Sequence, residues 1–158
     1  MSVVVRSARP EHAAAIAEFA LKLFAQHHDY DPERFAELSD VSGAERYYAS
    51  RAEAKNAAVL VALLDERVVG FAYLEYEKLD YANLLENAAW LHDLYVDEAA
   101  RETGAGKALI HAAKDAGKML GADKLVLTVA AKNEYARTFF TRTGFRETMV
   151  EMTIGLND

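Results

Sequence analysis

Two patterns of apolar and polar residues alternate along the chain. In the first, apolar residues recur at spacings of three and four, which is typical of an amphipathic helix. In the second, they alternate with polar residues or form short continuous runs, which is typical of a strand. The clearest helical stripe consists of Ile16, Phe19, Ala20, Leu23 and Phe24. Pro10 suits the first turn of that helix, since proline is tolerated where no intrahelical N–H bond is needed.

The patterns predict six strands and four helices. The strands cover residues 3–6, 57–64, 67–77, 88–96, 124–130 and 145–154, and the later helices cover residues 44–55, 104–120 and 134–143. Residues 27–42 are predicted as a loop with a helical turn at 32–38, and residues 78–87 as a second loop. Asp65 and Glu66 form a tight hairpin turn, and Gly121 ends the third helix. This order predicts an α/β (α+β) fold with a mixed sheet flanked by helices.

Composition narrows the class of protein. The chain has 158 residues and no Pro/Gly/Ser-rich linker, so we expect a single domain over residues 1–158. The absence of cysteine excludes disulfides, thiolate metal sites and a cysteine nucleophile, and it fits a cytoplasmic protein. A net charge of -7 argues against binding nucleic acid or an anionic membrane. The N-terminus does not read as a signal peptide, and no apolar run approaches the roughly 18 residues of a membrane span.

A glycine-rich helix entry carries the strongest chemical signal. A strand ends near Val96, and Gly104 and Gly106 then open a long helix. Unpaired N–H groups at such an entry bind anions, and glycine lets a phosphate approach the backbone closely. Arg101 and Lys107 add positive charge. A Walker loop would need Gly at 101 and Ser or Thr at 108, and a dinucleotide loop would need Gly at 109, so neither fits.

The pattern Arg101-x-x-Gly104-x-Gly106 resembles the pyrophosphate loop of the GNAT superfamily of N-acetyltransferases. A second stretch, 27 residues after Gly106, resembles the other signature of that family. It begins at Asn133 and continues through Ala136, Phe139, Phe140, Gly144 and Phe145. The resemblance extends from about residue 90 to residue 145, and the predicted element order is compatible with the family over nearly the whole chain.

The resemblance implies a mostly antiparallel sheet splayed between its fourth and fifth strands, with acetyl-CoA as cosubstrate, no metal, and often a homodimer. It implies direct attack of a primary amine on the thioester within a ternary complex. A backbone N–H near Leu94 would polarise the thioester carbonyl, and Asn133 would bind the pantetheine. The residues implied in cofactor binding are Leu94, Tyr95, Val96, Arg101, Glu102, Thr103, Gly104, Ala105, Gly106, Lys107, Asn133, Ala136, Phe139 and Phe140.

The sequence departs from the family where a tyrosine usually protonates the leaving thiolate, because Phe140 stands there. For the base that deprotonates the amine we expect His92, which strand alternation places on the same face as Leu94 and Val96. In the similar diamine acetyltransferases a glutamate stands at that position. Glu75 and Glu77 are rivals for the role of base. The residues expected around the acceptor are Tyr30, Phe35, Tyr76, Glu77 and Tyr81.

Charge is unevenly distributed along the chain. Residues 29–98 carry 16 acidic and 6 basic side chains, whereas residues 101–146 carry 4 acidic and 9 basic side chains. The basic part coincides with the expected cofactor site and the acidic part with the acceptor loops, which predicts a small cationic amine as acceptor. Two alternatives stay open, a non-catalytic acyl-CoA sensor and a protein N-terminal or lysine acetyltransferase. His27 and His28 are adjacent and so point apart, which disfavours a metal site.

Overall fold

A computed structural model of the protein describes residues 2–157. It contains five strands and four α-helices in that range. The strands are β1 (Val3–Ser7), β2 (Ala57–Leu64), β3 (Arg67–Asp80), β4 (Leu85–Val96) and β5 (Lys124–Val126). The helices are α1 (Ala13–Tyr30), α2 (Val41–Glu53), α3 (Ala105–Leu120) and α4 (Glu134–Arg142). Two short 3-10 helices, Pro10–His12 and Glu98–Ala100, precede α1 and α3.

The five strands form one sheet in the order β1-β2-β3-β4-β5. The first four are antiparallel neighbours, and only β4 and β5 are parallel. Helix α3 covers one face, where Leu109 and Ala113 are fully buried in the same cluster as Leu74. Helices α1 and α2 cover the other face, where Ile16 and Tyr48 share a cluster with strand residues. The mixed, mostly antiparallel sheet with flanking helices confirms the predicted fold class.

The sheet opens between β4 and β5. These strands pair only where Ala88, Ala89 and Trp90 face Lys124, Leu125 and Val126. Beyond that point β4 continues to Val96 against β3, while residues 127–130 leave the ladder. A V-shaped gap therefore separates the end of β4 from the segment after β5, as the family resemblance implied.

Three predicted element boundaries are wrong: the end of β3, the start of β4 and the end of α1. The first two differ because the residues after the predicted end of β3 and before the predicted start of β4 pair with each other. The stretch 78–87 is largely strand, since Leu79 pairs with Glu86 and Asp80 with Leu85 across a short turn. Asn83 stabilises that turn through hydrogen bonds to the carboxylate of Asp80. Helix α1 extends to Tyr30. The predicted helical turn is confined to its first residues, where Phe35 N–H donates to Asp31 C=O, and residues 36–40 have no regular structure.

The two C-terminal strand predictions are also corrected. β5 spans only Lys124–Val126 rather than residues 124–130, because β4 diverges from it. Residues 145–154 form no strand, because no segment among residues 2–157 pairs with them. A strand needs a hydrogen-bonded neighbour, so a strand-like sequence without one does not become part of the sheet.

Candidate active site

The gap between β4 and β5 is a cleft with a volume of about 810 Å³. That volume lies within the roughly 300–1,000 Å³ of small-molecule sites. Its walls come from the end of β4, the start of α3, the segment after β5, α4, and the end of α1 with the loop that follows. Most of the predicted site residues line it: Tyr30, Phe35, His92, Leu94, Tyr95, Val96, Arg101, Glu102, Gly104, Ala105, Gly106, Lys107, Asn133, Ala136, Phe139 and Phe140.

One end of the cleft is the N-terminus of α3. Gly104 occupies its cap position with φ +88°, a left-handed conformation that favours glycine. No side chain caps the helix, and its first intrahelical bond runs from Ala108 N–H to Gly104 C=O. The N–H groups of Ala105, Gly106 and Lys107 therefore have no intrahelical acceptor. They form an electropositive set of donors that an anion can use.

The shape of this helix entry fits a phosphate. A Cβ added to Gly104 would meet nothing within 4 Å, so the space beside this glycine, which lines the cleft, is open. A Cβ on Gly106 would lie 3.1 Å from Cζ of Phe139, which explains glycine there by packing against α4. The guanidinium of Arg101 lies 5.3 Å from the ring of Tyr135, at the edge of the same entry. The residues present thus fit the pyrophosphate of a CoA cosubstrate.

Asn133 has a structural function at the start of α4. Its Oδ1 accepts a hydrogen bond of 3.0 Å from Ala136 N–H, which caps the helix. Asn133 also lines the cleft, and its amide NH₂ makes no hydrogen bond within residues 2–157. Phe140 packs edge-on against Phe139 and Phe145, with ring centroids 5.4 and 5.6 Å away. Its ring therefore belongs to an aromatic cluster that forms part of the cleft wall.

A β-bulge in β4 determines where His92 points. Tyr73 of β3 pairs with Asp93, but the next residue, Leu74, pairs with Leu91, so His92 is an extra residue without a partner. Its ring stacks on Tyr73 at 5.3 Å, on the face covered by α1 and α2. Strand alternation predicted that His92 shares a face with Leu94 and Val96, and this is wrong. Those two residues pack against the α3 cluster on the opposite face.

The bulge also brings Asp93 into the cleft, a residue that sequence reasoning missed. Asp93 is half-buried, and its carboxylate accepts a 2.7 Å hydrogen bond from the hydroxyl of Tyr48 in α2. Burial raises the pKa of Asp93, while the bond from Tyr48 opposes that rise. The one available signal was a second polar residue, next to His92, within the apolar stretch 88–96, but regular alternation gives no reason to expect two consecutive side chains on one face.

Glu75 belongs to a hydrogen-bonded network beside the bulge. Its Oε2 accepts a bond of 2.5 Å from the Tyr73 hydroxyl and lies 3.1 Å from Nη2 of Arg51. Arg51 also donates to the Tyr73 hydroxyl. Burial and the bond to Glu75 raise the pKa of Tyr73 above its ordinary value. Glu75 is thus held by two partners, and neither it nor Thr103 is part of the cleft lining.

Of the residues expected around the acceptor, Tyr30 and Phe35 line the cleft and Tyr76 and Tyr81 do not. Tyr76 donates to Oδ1 of Asn87 and lies near Gly121, at the far end of α3. Tyr81 is 82% exposed in the turn between β3 and β4. These two predicted positions therefore lie away from the chemistry, because the segment that carries them is a hairpin rather than a loop over the cleft.

Glu77 lies outside the cleft lining as well, but its charge interacts with that of His92. Burial and the nearby Asp80 raise the pKa of its carboxyl. At the entrance, Nδ1 of His27 lies 2.8 Å from Leu23 C=O and Nδ1 of His28 lies 2.8 Å from Phe35 C=O. The contact of His28 thereby holds the loop after α1, whereas that of His27 lies within α1 itself. Within residues 2–157 no three His, Asp or Glu side chains are placed to share a metal ion.

Comparison with known proteins agrees with this geometry. The acetyltransferase (GNAT) family profile matches residues 19–145. The uncharacterized N-acetyltransferase YhfO of Bacillus subtilis (strain 168) is 32% identical over 143 residues, which cover 90% of this chain and 89% of the relative.

Solved structures share the fold at low sequence identity. A mutant of the BH1408 protein from Bacillus halodurans superposes with a TM-score of 0.86 at 19% identity, covering 98% of this chain and 99% of that one. The aminoglycoside N-acetyltransferase AAC(6')-Iy in complex with CoA gives a TM-score of 0.80 at 19% identity, covering 97% and 93% of the two chains. The chain belongs to the GNAT family and is an acetyl-CoA-dependent N-acetyltransferase.

Proposed function

We propose that the protein acetylates a small cationic primary amine, which attacks acetyl-CoA directly in the cleft. The observation that carries this proposal is the arrangement of the two ends of one cleft. An uncapped, glycine-opened helix N-terminus forms one end, and a bulge with His92 and Asp93 lies along the wall towards the other. A polyanion and an amine can therefore occupy the cleft together, which supplies the proximity that a direct transfer requires.

The chain's own groups bind and orient the cosubstrate. Acetyl-CoA supplies the activated acetyl thioester. The free N–H groups of Ala105, Gly106 and Lys107 bind its pyrophosphate, and the side chains of Arg101 and Lys107 add charge. The amide NH₂ of Asn133 donates to the pantetheine. Beyond Trp90, β4 has no β5 neighbour, and we assign the Leu94 N–H to the thioester carbonyl oxygen.

The amine must lose a proton before or during its attack, and we assign that proton to His92. Its ring is exposed at the cleft and is held between Tyr73 and Trp90, whose rings lie 5.3 and 6.2 Å away. No hydrogen bond engages its ring nitrogens among the described residues, so a lone pair is free to accept the proton. Imidazole is the side chain most often used as a general base around neutrality.

The charge around the bulge favours a cationic acceptor. Asp93 lines the cleft, and Glu77 lies near enough to His92 for the imidazole to affect the pKa of its carboxyl. Tyr30 and Phe35 supply an aromatic wall against which an alkylammonium stem can pack. The thiolate leaves without a side-chain acid, since Phe140 has no proton to give. A thiol of pKa about 8.5 takes its proton from water.

Thiol release over a panel of acceptors tests the proposal. Polyamines and aminoglycosides should be acetylated with higher kcat/KM than uncharged amines or peptide N-termini. Higher kcat/KM for uncharged amines would contradict the cationic acceptor. Release that never exceeds acetyl-CoA hydrolysis, in a protein that binds acetyl-CoA by calorimetry, would favour the sensor alternative.

His92→Ala tests the base. The change should lower kcat by about 10²–10⁴-fold and remove the acidic limb of the pH profile, while the exposed side chain costs little stability. His111→Ala is the matched control, because His111 is also exposed but lies on α3 outside the cleft lining. Equal pH profiles for the two variants would remove His92 from the mechanism.

We further propose that the protein is a homodimer. The exposed apolar side chains near the C-terminus, Val150, Met152, Ile154 and Leu156, support this proposal. A cytoplasmic location stays a prediction, supported by the absence of cysteine from the sequence. None of the helices within residues 2–157 is both long and apolar enough to span a bilayer.

A further inference from the structure

The end of α1 presents a second imidazole to the cleft, besides that of His92. His27 lies half-buried in the last turn of α1 and belongs to the cleft lining. Two aromatic neighbours hold its ring edge-on, with the ring centroid of Phe35 5.0 Å away and that of Tyr30 6.1 Å away. Packing therefore fixes the orientation of a polar ring for which the proposed reaction has so far no use.

The hydrogen bonding of His27 determines which ring nitrogen is free. Its Nδ1 lies 2.8 Å from the carbonyl oxygen of Leu23. A carbonyl oxygen only accepts, so Nδ1 carries the proton and donates the hydrogen bond. In the neutral imidazole, Nε2 then has an unprotonated lone pair. No group among residues 2–157 forms a hydrogen bond with that nitrogen, which is therefore available to a molecule in the cleft.

Asp93 lines the same cleft from β4 and has one oxygen to spare. Its Oδ2 accepts the bond from the Tyr48 hydroxyl, which leaves Oδ1 without a partner in the part of the chain described. Burial raises the pKa of this carboxyl, and the bond from Tyr48 and the charges of the two imidazoles, His92 and His27, oppose that rise. A charge acts on a pKa in this way from close by, so both imidazoles lie near the carboxylate.

We infer that His27 binds the acceptor nitrogen and makes the enzyme selective for primary amines. A primary ammonium has three N–H groups, and the cleft offers three acceptors: Nε2 of His27, Oδ1 of Asp93 and the ring of His92. The N–H directed at His92 gives up the proton that the proposed reaction removes. The other two then hold the neutral amine in place for its attack. The inference rests on the proposed function, since it concerns the amine of that reaction.

The position of these acceptors suits the transfer. Asp93 directly precedes Leu94, whose N–H is assigned to the thioester carbonyl oxygen. Consecutive Cα atoms are about 3.8 Å apart, so a nitrogen bound at Asp93 lies close to the carbonyl carbon that it attacks. His27 approaches from the wall formed by α1, which covers this face of the sheet.

Three acceptors discriminate between primary and secondary amines. An N-methyl ammonium has two N–H groups, which suffice for Asp93 and His92 but leave His27 without a partner. Sites built to hydrogen-bond a substrate group reject analogues that lack it, because a half-buried polar atom then stays unpaired. The methyl group would also contact a polar nitrogen in place of a hydrogen-bond donor. A primary amine is therefore the better substrate.

Steady-state kinetics with the best primary amine of the acceptor panel and with its N-methyl derivative test the inference. The parent should prefer the primary amine at least about tenfold in kcat/KM. His27→Asn keeps an amide near the position of Nδ1 but has no atom at that of Nε2. Its kcat/KM for the primary amine should fall about ten- to a hundredfold. The N-methyl derivative makes no use of His27, so the preference should shrink to about threefold or less.

His28→Asn is the matched control. His28 is the next residue of α1, and its Nδ1 also lies 2.8 Å from a carbonyl oxygen, but it is not part of the cleft lining. This variant should keep the preference of the parent. A parent that accepts both amines equally well would overturn the inference. So would a His27→Asn variant that loses the same factor for both amines, since that is the result of a purely structural role.

NMR of the ¹⁵N-labelled parent tests the nitrogen itself without any substitution. The ring nitrogens of a neutral histidine have different shifts in its two tautomers, and His27 should be the Nδ1–H tautomer. Its Nε2 signal should move when the same primary amine is added together with CoA, which has no acetyl group to transfer. The Nε2–H tautomer, or an Nε2 signal that the amine leaves in place, would overturn the inference alone. A parent that acetylates no amine would instead refute the proposed function, and this inference with it.

Discussion

Replacing Gly104 by alanine tests whether the N-terminus of α3 is the anion site. The residue has φ +88°, and the space beside it is open for at least 4 Å. Gly144 offers a matched control, since it has φ +107° and equally open surroundings but lies outside the cleft lining. Both substitutions add a methyl group to a residue with positive φ, so both strain the backbone by a similar amount. Only Gly104→Ala adds the methyl group within the cleft lining, at the N-terminus of α3.

The expected magnitudes follow from this difference. A left-handed conformation costs a non-glycine residue roughly 1–2 kcal/mol. In a chain of this length that corresponds to a fall in Tm of about 2–8 °C for both Gly104→Ala and Gly144→Ala. The methyl group on residue 104 also keeps the pyrophosphate from at least one backbone donor. Losing one charge-assisted hydrogen bond costs about 1.5–3 kcal/mol, so the Kd for acetyl-CoA should rise between ten- and a hundredfold.

Calorimetric titration with acetyl-CoA, alongside thermal melts of both variants, separates the two effects. Gly144→Ala should lose stability while it keeps the parent affinity. Equal affinities in the two variants would mean that the pyrophosphate does not approach Gly104, and the anion-site assignment would be wrong. If Gly104→Ala bound acetyl-CoA normally but melted early, its glycine would serve the backbone conformation alone.

Three further changes test individual side chains. Tyr48→Phe should lower the free energy of unfolding by about 1–3 kcal/mol at pH 7, because the half-buried Asp93 loses its hydrogen bond. The pKa of Asp93 is raised in the folded state, so the folded form binds this proton more tightly than the unfolded form. The loss of unfolding free energy caused by Tyr48→Phe should therefore shrink as the pH falls towards about 4. Denaturant melts at both pH values would show this, and equal losses would contradict it. Glu75→Gln should reduce Tm but leave kcat near the parent value, since that carboxylate is bound by Tyr73 and Arg51 outside the cleft lining; a large loss of kcat at unchanged Tm would return it to the candidates for the base. Phe140→Tyr should leave kcat nearly unchanged because water suffices to protonate the thiolate, and a rise of about 10²-fold or more in steady-state assays would show that a missing acid limits the reaction.

Sequence reasoning predicted the features that depend on local chemistry. The glycines at 104 and 121 occupy left-handed positions at the two ends of α3, because few other residues tolerate such angles. Asp65 and Glu66 both adopt positive φ in the tight hairpin turn. These features are set by the residues themselves and their immediate neighbours.

Features that depend on which strand lies beside which were not accessible from the sequence. The orientation of His92 follows from a bulge, and a bulge is defined by the register of two strands rather than by either strand alone. The prediction of a strand at 145–154 failed for a related reason. Its alternation is real, but pairing requires a partner, and no described segment of the same chain provides one.

The bulge in β4 places the residue at position 92 in the cleft without giving it a role in strand pairing. Residue 92 is inserted between two paired positions, so it has no partner in the ladder, and its exposed side chain fills no part of the core. A substitution at this position leaves the ladder unchanged and removes only the stacking on Tyr73 and Trp90, whereas Leu91, one residue earlier, is only 4% exposed and tightly packed. Position 92 can therefore vary between related enzymes at little cost in stability. The group that meets the acceptor amine can change to suit a new substrate while the scaffold around it stays the same.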